Sequence, residues 1–303
     1  MNFLAPKILP STLWQKGRYH VAPDLEATYQ RLLLLRNLLV IASGSSSKKD
    51  IYGDDTLEGT HDHFAHRFSS SVMRIQNVML DAQGKFESIP KDVLLSFSSH
   101  RVSILDIPSG TGAGGLALIS VIHELRLAGI IPMLPLEVSI LAGDKSRFAL
   151  AIYDEQVSQL KDKFKLTGIE INMKTFSWDA VDLVSTSELC ALWERTVFQA
   201  DESFVLVTNF SGAGKKMLDQ FKESFRHISA RASYKNATLL WIEPGDSGGT
   251  SFLTKISELI GPLFKRRNAI SHTPPTSEAK GWHDLKKCEL PIRSSVHHYT
   301  RNQ

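Results

Sequence analysis

Asp106 stands at the end of a short apolar, β-branched run, Val102–Leu105, directly ahead of a loop that carries Gly110, Gly112, Gly114 and Gly115. An acid followed by closely spaced glycines has chemical use. Glycine lets the backbone turn sharply and lets a ligand lie against it with no Cβ between them. The apolar run Leu116–Leu127 behind the loop is of helical length, and a helix start offers unpaired N–H groups and a partial positive charge. Two more acids, Asp144 before Lys145 and Asp179 after Trp178, follow apolar segments in the same way. A different chemistry is offered by the cluster His61, His63, His66 and Arg67. Histidine binds metals and carries protons near neutral pH. His63 and His66 share a face on a helix, but the zinc spacing His-Glu-x-x-His is absent, so no metal is expected. A general-base role for His63 or His66 and an anion-binding role for Arg67 stand beside the plainer reading, an amphipathic helix with a polar face.

The surrounding pattern predicts the elements that hold these residues. Leu25, Leu32, Leu35 and Leu39 recur at helical spacing over Ala22–Ala42, with Asp24 as N-cap, and Gly44–Asp50 reads as a solvated loop. Phe64, Phe68, Val72, Ile75 and Met79 mark one face of a second helix over Asp62–Leu80, and Pro90 opens a short helix over Lys91–Phe97. From Arg101 onward strands and helices alternate. The predicted strands are Val102–Leu105, Glu137–Ala142, Ile169–Phe176, Ser203–Asn209 and Ala237–Glu243. The helices between and after them are Gly112–Ala128, Phe148–Phe164, Glu188–Phe198, Lys215–Ala232 and Thr250–Leu263. Such alternation predicts an α/β fold with a mostly parallel, doubly wound sheet. Cys288–Ile292 and Ser295–Thr300 are expected to close it as an antiparallel pair anchored by Val296 and Tyr299. Strand, glycine turn and helix around Asp106 form the start of a Rossmann-like βαβ unit. Residues 1–100 read as a helical N-terminal extension that closes over the active site of a domain spanning 101–303.

The string Leu-Asp-Ile-Pro-Ser-Gly-Thr-Gly over 105–112 resembles the first motif of the class I S-adenosylmethionine (SAM) methyltransferases, an acid on the strand followed by Gly-x-Gly. One departure is Pro108, which stands where that family usually has its first glycine. The resemblance implies that SAM is the cofactor, held by Asp106, Ile107, Pro108, Ser109, Gly110 and Gly112. Asp144, with Lys145 beside it, is similar to the family's second acidic position, where a carboxylate accepts both ribose hydroxyls in charge-strengthened hydrogen bonds. Asp179 would accept from the adenine amino group and Trp178 would cover the ring; the alternatives are a helix N-cap for Asp179 and core packing for Trp178. Asn209, a further cofactor contact by the same resemblance, falls with Ser211 where such enzymes face the acceptor, though Asn-Phe-Ser-Gly is not the Asn-Pro-Pro-Tyr of base amino-methylating enzymes. Trp241-Ile-Glu-Pro-Gly245 is similar to a segment of a methyltransferase-like family associated with the small ribosomal subunit, over 101–265 only. That family's cysteine cluster is missing, so neither its iron–sulfur ligands nor its ribosomal partner is implied. Glu243 in this segment either faces the acceptor pocket or caps the next helix.

Composition bounds these readings. The 303 residues are 42% hydrophobic and 22% charged, enough apolar material for a sizeable core. A net charge of +3 allows a nucleic-acid partner and does not indicate one. Lys215-Lys216, Lys265-Arg266-Arg267 and Lys286-Lys287 are short basic runs of the kind that form solvated faces. Cys190 and Cys288, the only cysteines, are far apart, which argues against a disulfide framework. With no run of spanning length and no signal-peptide core near the start, a cytoplasmic protein without membrane contact is expected. Two other functions remain open: a non-catalytic SAM-fold binding or assembly protein, and an NAD-linked oxidoreductase. The second is disfavoured because Asp106 precedes the loop and no hydride-transfer acid/base pair follows. The acceptor class (RNA, protein or small molecule) and the oligomeric state are not written in these motifs.

Overall fold

A computed structural model describes residues 3–44, 55–264 and 273–300; part of the predicted 44–50 loop and the 265–267 basic run lie outside the described residues. Among the described residues nine strands form one mixed sheet in the order β1-β2-β8-β9-β7-β6-β3-β4-β5. Its centre is parallel: β3 (Arg101–Asp106), β4 (Leu136–Asp144), β5 (Ile169–Ser177), β6 (Glu202–Thr208) and β7 (Thr238–Pro244). Ile104 lies in register with Ile140 on one side and Phe204 on the other. Alternate residues of each strand then enter opposite cores, as the two-residue period of a strand requires. Ile104, Leu206 and Leu240 pack with α1 (Pro23–Leu35), α3 (Leu57–Leu80), α5 (Ala113–Leu127) and α6 (Arg147–Lys165). Leu105, Val205 and Trp241 pack with α7 (Leu183–Val197), α8 (Ser211–Tyr234) and α9 (Ser247–Ile260). The molecule is therefore α/β, with helices on both faces of the sheet.

Several expectations are corrected. The helix predicted over Ala22–Ala42 breaks after α1, because Asn37 adopts a left-handed φ of 58° and Leu38 N–H reaches back to the Leu33 carbonyl. That is a Schellman-type ending; α2 (Leu39–Ser43) restarts beyond it, and Leu35 is left exposed. Asp24 is no N-cap: it sits inside the first turn, where its carboxylate meets His123 Nε2 at 3.7 Å and Lys163 Nζ at 3.5 Å. The expected closing pair Cys288–Ile292 and Ser295–Thr300 is a single strand, β9 (Cys288–Tyr299), which runs antiparallel to β7 and to an unpredicted β8 (Thr276–His283). Beyond β8 the sheet is completed by β1 (Trp14–Gln15) and β2 (Arg18–Tyr19), joined by Lys16-Gly17 with φ of 52° and 74°, as a primed hairpin turn needs.

The N-terminal residues share the core of the sheet. Phe64, Phe68, Val72, Ile75 and Met79 are all buried on the inner face of α3, and Tyr29 stacks on Phe68 at 4.9 Å between ring centroids. Asn77 Nδ2 donates to Ser294 Oγ on β9 at 2.9 Å. A short helix α4 (Ile89–Ser96) then leads toward β3, and Phe97 at its end stacks on Phe204 of β6. No helix among the described residues is long and apolar enough to cross a membrane. Because Phe68 is 2% exposed, Phe68→Ala should cost roughly 3–5 kcal/mol in one cooperative urea transition. A loss below about 1 kcal/mol, the size of a surface effect, or a separate transition for the first hundred residues would contradict a shared core.

Candidate functional site

The switch in strand order lies beside β3: the chain moves outward through β4 and β5, then returns to β6 on its other side. Ligands in such sheets bind outside the carboxyl ends at that point. Asp106, Asp144 and Asn209 stand there, at the ends of or just after β3, β4 and β6.

The glycine loop is shaped from below by Tyr153 of α6. The Tyr153 hydroxyl donates to Asp106 Oδ2 at 3.1 Å, and Gly115 N–H donates to the same oxygen at 3.2 Å. A Cβ on Gly112 would collide with the Tyr153 ring, and one on Gly115 with the Tyr153 hydroxyl. Gly112 also needs its φ of 86°, in the left-handed region. Gln156 Nε2 donates to the Thr111 carbonyl at 2.6 Å and fixes the loop's crest. The peptide before Pro108 is cis, and Ser109 N–H donates to the Gly143 carbonyl, while Ile107 is buried in the core.

Two carboxylates converge on this loop. Asp144 Oδ2 accepts from Gly110 N–H and Oδ1 from Ser146 N–H, each at 2.8 Å. Each carboxylate oxygen has further acceptor capacity, and Asp144 is partly exposed. Burial raises its affinity for a proton. Asp106 is fully buried, and burial is the largest cause that pushes its carboxyl up to about 7, with the Tyr153 and Gly115 bonds opposing. Its Oδ1 and the Ser109 Oγ are buried without a hydrogen-bond partner among the described residues. Polar atoms of that kind carry a desolvation cost unless something bonds them.

The third predicted acid has a humbler geometry. Asp179 Oδ1 accepts from Val181 N–H and Oδ2 meets Lys145 Nζ at 3.4 Å, an exposed ion pair. Trp178 is core: it is 1% exposed, its ring meets Phe225 edge-on, and its Nε1 donates to Thr186 Oγ1 at 2.9 Å. The packing reading therefore holds for Trp178, and its ring presents no face to a ligand. Glu243 is also corrected. It neither faces the cleft openly nor caps α9, whose cap is Asp246. Fully buried, it takes the Phe210 and Ser211 N–H groups at 2.9 Å and Trp241 Nε1 at 2.7 Å, which ties down the start of α8. Burial raises its pKa against those three donors.

The other wall of the cleft is α3. Thr60 Oγ1 hydrogen-bonds Ser146 Oγ at 2.8 Å beyond β4. At the far end of the same helix, Arg74 donates through Nη1 to Asn209 Oδ1 beyond β6, and through Nε to the Arg293 carbonyl at 3.0 Å. The helix therefore crosses the carboxyl ends of the strands. Thr60, His63, Arg67 and Arg74 recur every three, four and seven residues, the spacing of one helical face. Burial, then the Arg67 charge, pushes His63 down to about 4, so it is neutral at pH 7. Burial likewise pushes Arg74 to about 10, still charged at pH 7. Burial and Arg36 lower His61. His61, His63 and His66 do not converge: among the described residues no group of three or more His, Cys, Asp or Glu side chains could hold a metal ion. Tyr153 and Arg74 were missed by sequence reasoning. The first gives no local signal; the second completes the polar stripe opposite the phenylalanines. A separate groove of about 550 Å³, lined in part by Glu223, Arg226, His227 and Glu258, lies on the outer side of α8 and α9, away from these groups.

Two outcomes follow. Gly112→Ala should destabilise the fold by roughly 2–4 kcal/mol through left-handed strain and overpacking against Tyr153, read as a shift in urea midpoint; a neutral effect would contradict the packing under the loop. For Asp106, the folded pKa lies above the unfolded one, so the native state holds the extra proton between about pH 4 and pH 7. Stability from this group is present below that window and is lost as pH rises through it, by on the order of 4 kcal/mol. Denaturation of Asp106→Asn beside the parent at pH 4, 5.5 and 7.5 should show the parent losing stability relative to the variant, and parallel curves would contradict it. In comparisons with known proteins, no family model and no curated protein matches the chain.

Proposed function

We propose that the chain is a SAM-dependent methyltransferase whose cofactor lies over the glycine loop between Asp106 and Asp144. The observation that carries this reading is the convergence of two strand-end carboxylates on the loop's own N–H groups: Gly110 on Asp144 and Gly115 on Asp106. An anionic pyrophosphate would meet two acids there, and the Gly110, Gly112 and Gly115 N–H groups of the segment that would receive it are already engaged. A cation with vicinal hydroxyls meets the opposite situation. Asp144 retains acceptor capacity for ribose hydroxyls, and the buried Asp106 Oδ1 and Ser109 Oγ lie in the same loop without partners among the described residues. The order β5-β4-β3-β6-β7 about Asp106 is that of doubly wound nucleotide-binding sheets, which supports the same placement.

Bound there, SAM supplies an electrophilic methyl group on a sulfonium. The chain's own contribution is position. Asp144 and the loop would hold the cofactor, and α3 walls the side from which an acceptor approaches, so that reactants are kept in line. A base is required only for an acceptor that must shed a proton; His63, on the α3 face with Thr60 and Arg74, is neutral at pH 7, but burial pushes it down to about 4 and makes it a weak base. A non-catalytic SAM-fold component is favoured by one specific observation. Glu243 and Asn209, the acceptor-side polar groups, both spend hydrogen bonds on structure.

Calorimetric titration with SAM and with its demethylated product tests the proposal. Micromolar binding to the parent and at least about tenfold weaker binding to Asp144→Ala, or about 1.4 kcal/mol, is the expected result. No binding of either ligand to folded parent protein would contradict it, and tight binding of NAD(H) instead would favour the oxidoreductase.

A further inference from the structure

Among the described residues the bonds of Arg74, a partly buried cation, go to neutral atoms, Asn209 Oδ1 and the Arg293 carbonyl. Among the described residues no carboxylate comes within ion-pair distance of it. Taking a guanidinium out of water without a paired anion costs several kcal/mol. Glu243 and Asp246 attract it from a distance, but both are engaged elsewhere: Glu243 by three N–H groups and Asp246 by the Gly249 N–H at 2.7 Å. A guanidinium has more N–H donors than Arg74's two bonds use, held in a rigid fork that matches an oxyanion. Those two bonds fix the fork's direction. Arg67, two turns earlier on the same face, adds positive charge that acts on both Arg74 and His63. The location is also specific. Asn209 follows β6, across the switch point from the two acids that flank the glycine loop.

We infer that Arg74 anchors an oxyanion, a carboxylate or a phosphate, carried by the acceptor that enters this cleft. The acceptor role rests on the methyltransferase reading; the oxyanion site itself does not. The cleft is thereby divided by charge: acids at β3 and β4 for a cationic cofactor, arginine beside the end of β6 and beside β9 for an anionic substrate. Neither a neutral nor a cationic acceptor would offset the burial of Arg74.

The full chain is titrated with inorganic phosphate and, separately, with acetate, each at constant ionic strength against chloride. SAM binding is measured in parallel on the same preparations. Saturable binding of one anion is expected, and the tighter of the two names the group. Arg74→Gln should weaken it by about ten- to a hundredfold, the worth of a hydrogen bond to a charged group, and leave SAM affinity within about twofold. Arg74→Lys keeps the charge but not the fork and should fall between the two; it decides the matter if Arg74→Gln fails to melt cooperatively. Absence of saturable anion binding to the parent, or equal binding by parent and variants, overturns the inference. Anion binding that depends on Arg74 in a protein that does not bind SAM sustains the anion site and removes the methyltransferase reading.

Discussion

The hydroxyl of Tyr153 on the buried carboxylate of Asp106 is the contact from which the cleft takes its shape. Tyr153 comes from α6, one unit later in the chain, and its ring fills the space under Gly112 and Gly115 so closely that no side chain fits at either position. The loop is consequently pressed toward the strand ends, where its N–H groups find Asp106 and Asp144. The environment of Asp106 follows from that placement. Asp106 is deprived of solvent, its carboxyl rises to about 7, and one of its oxygens is left to be bonded by something the described residues do not supply.

A second constraint is the double use of α3. Its inner face carries the phenylalanine and methionine packing that joins the N-terminal residues to the sheet, and its outer stripe of Thr60, His63, Arg67 and Arg74 crosses the strand ends. A helix that is anchored in a core cannot swing freely, so this wall of the cleft is set by folding. That placement leaves Arg74 partly buried, with the neutral Asn209 Oδ1 and Arg293 carbonyl as its hydrogen-bond partners among the described residues.

What could be read beforehand was what is local in the chain. Asp106, the glycines and the five parallel strands are contiguous patterns, and the apolar stripe of α3 recurs at helical spacing. What could not be read depends on distant contacts or on quiet residues. Tyr153 lies 47 residues from Asp106, with nothing nearby to mark it. β8 buries Ser277, Ala279, Gly281 and His283, small or polar residues with no apolar alternation; a Cβ on Gly281 would press on Met73 Sδ of α3 at 2.5 Å. The break at Asn37 was hidden by leucines continuing on both sides of it. For Trp178 and Glu243 the residue types were informative and the direction was not: strand position places a side chain at the cleft's edge, while packing decides whether it turns inward.

The proposed cofactor site is the carboxyl-end cleft between β3, β4 and β6. Co-crystallisation with the demethylated product of SAM tests it most directly. The ribose hydroxyls are expected on Asp144, with the ligand lying across Gly110 and Tyr153 still beneath the loop. Density for the ligand elsewhere, for instance in the groove on α8 and α9, or a cleft empty at saturating ligand, would contradict it.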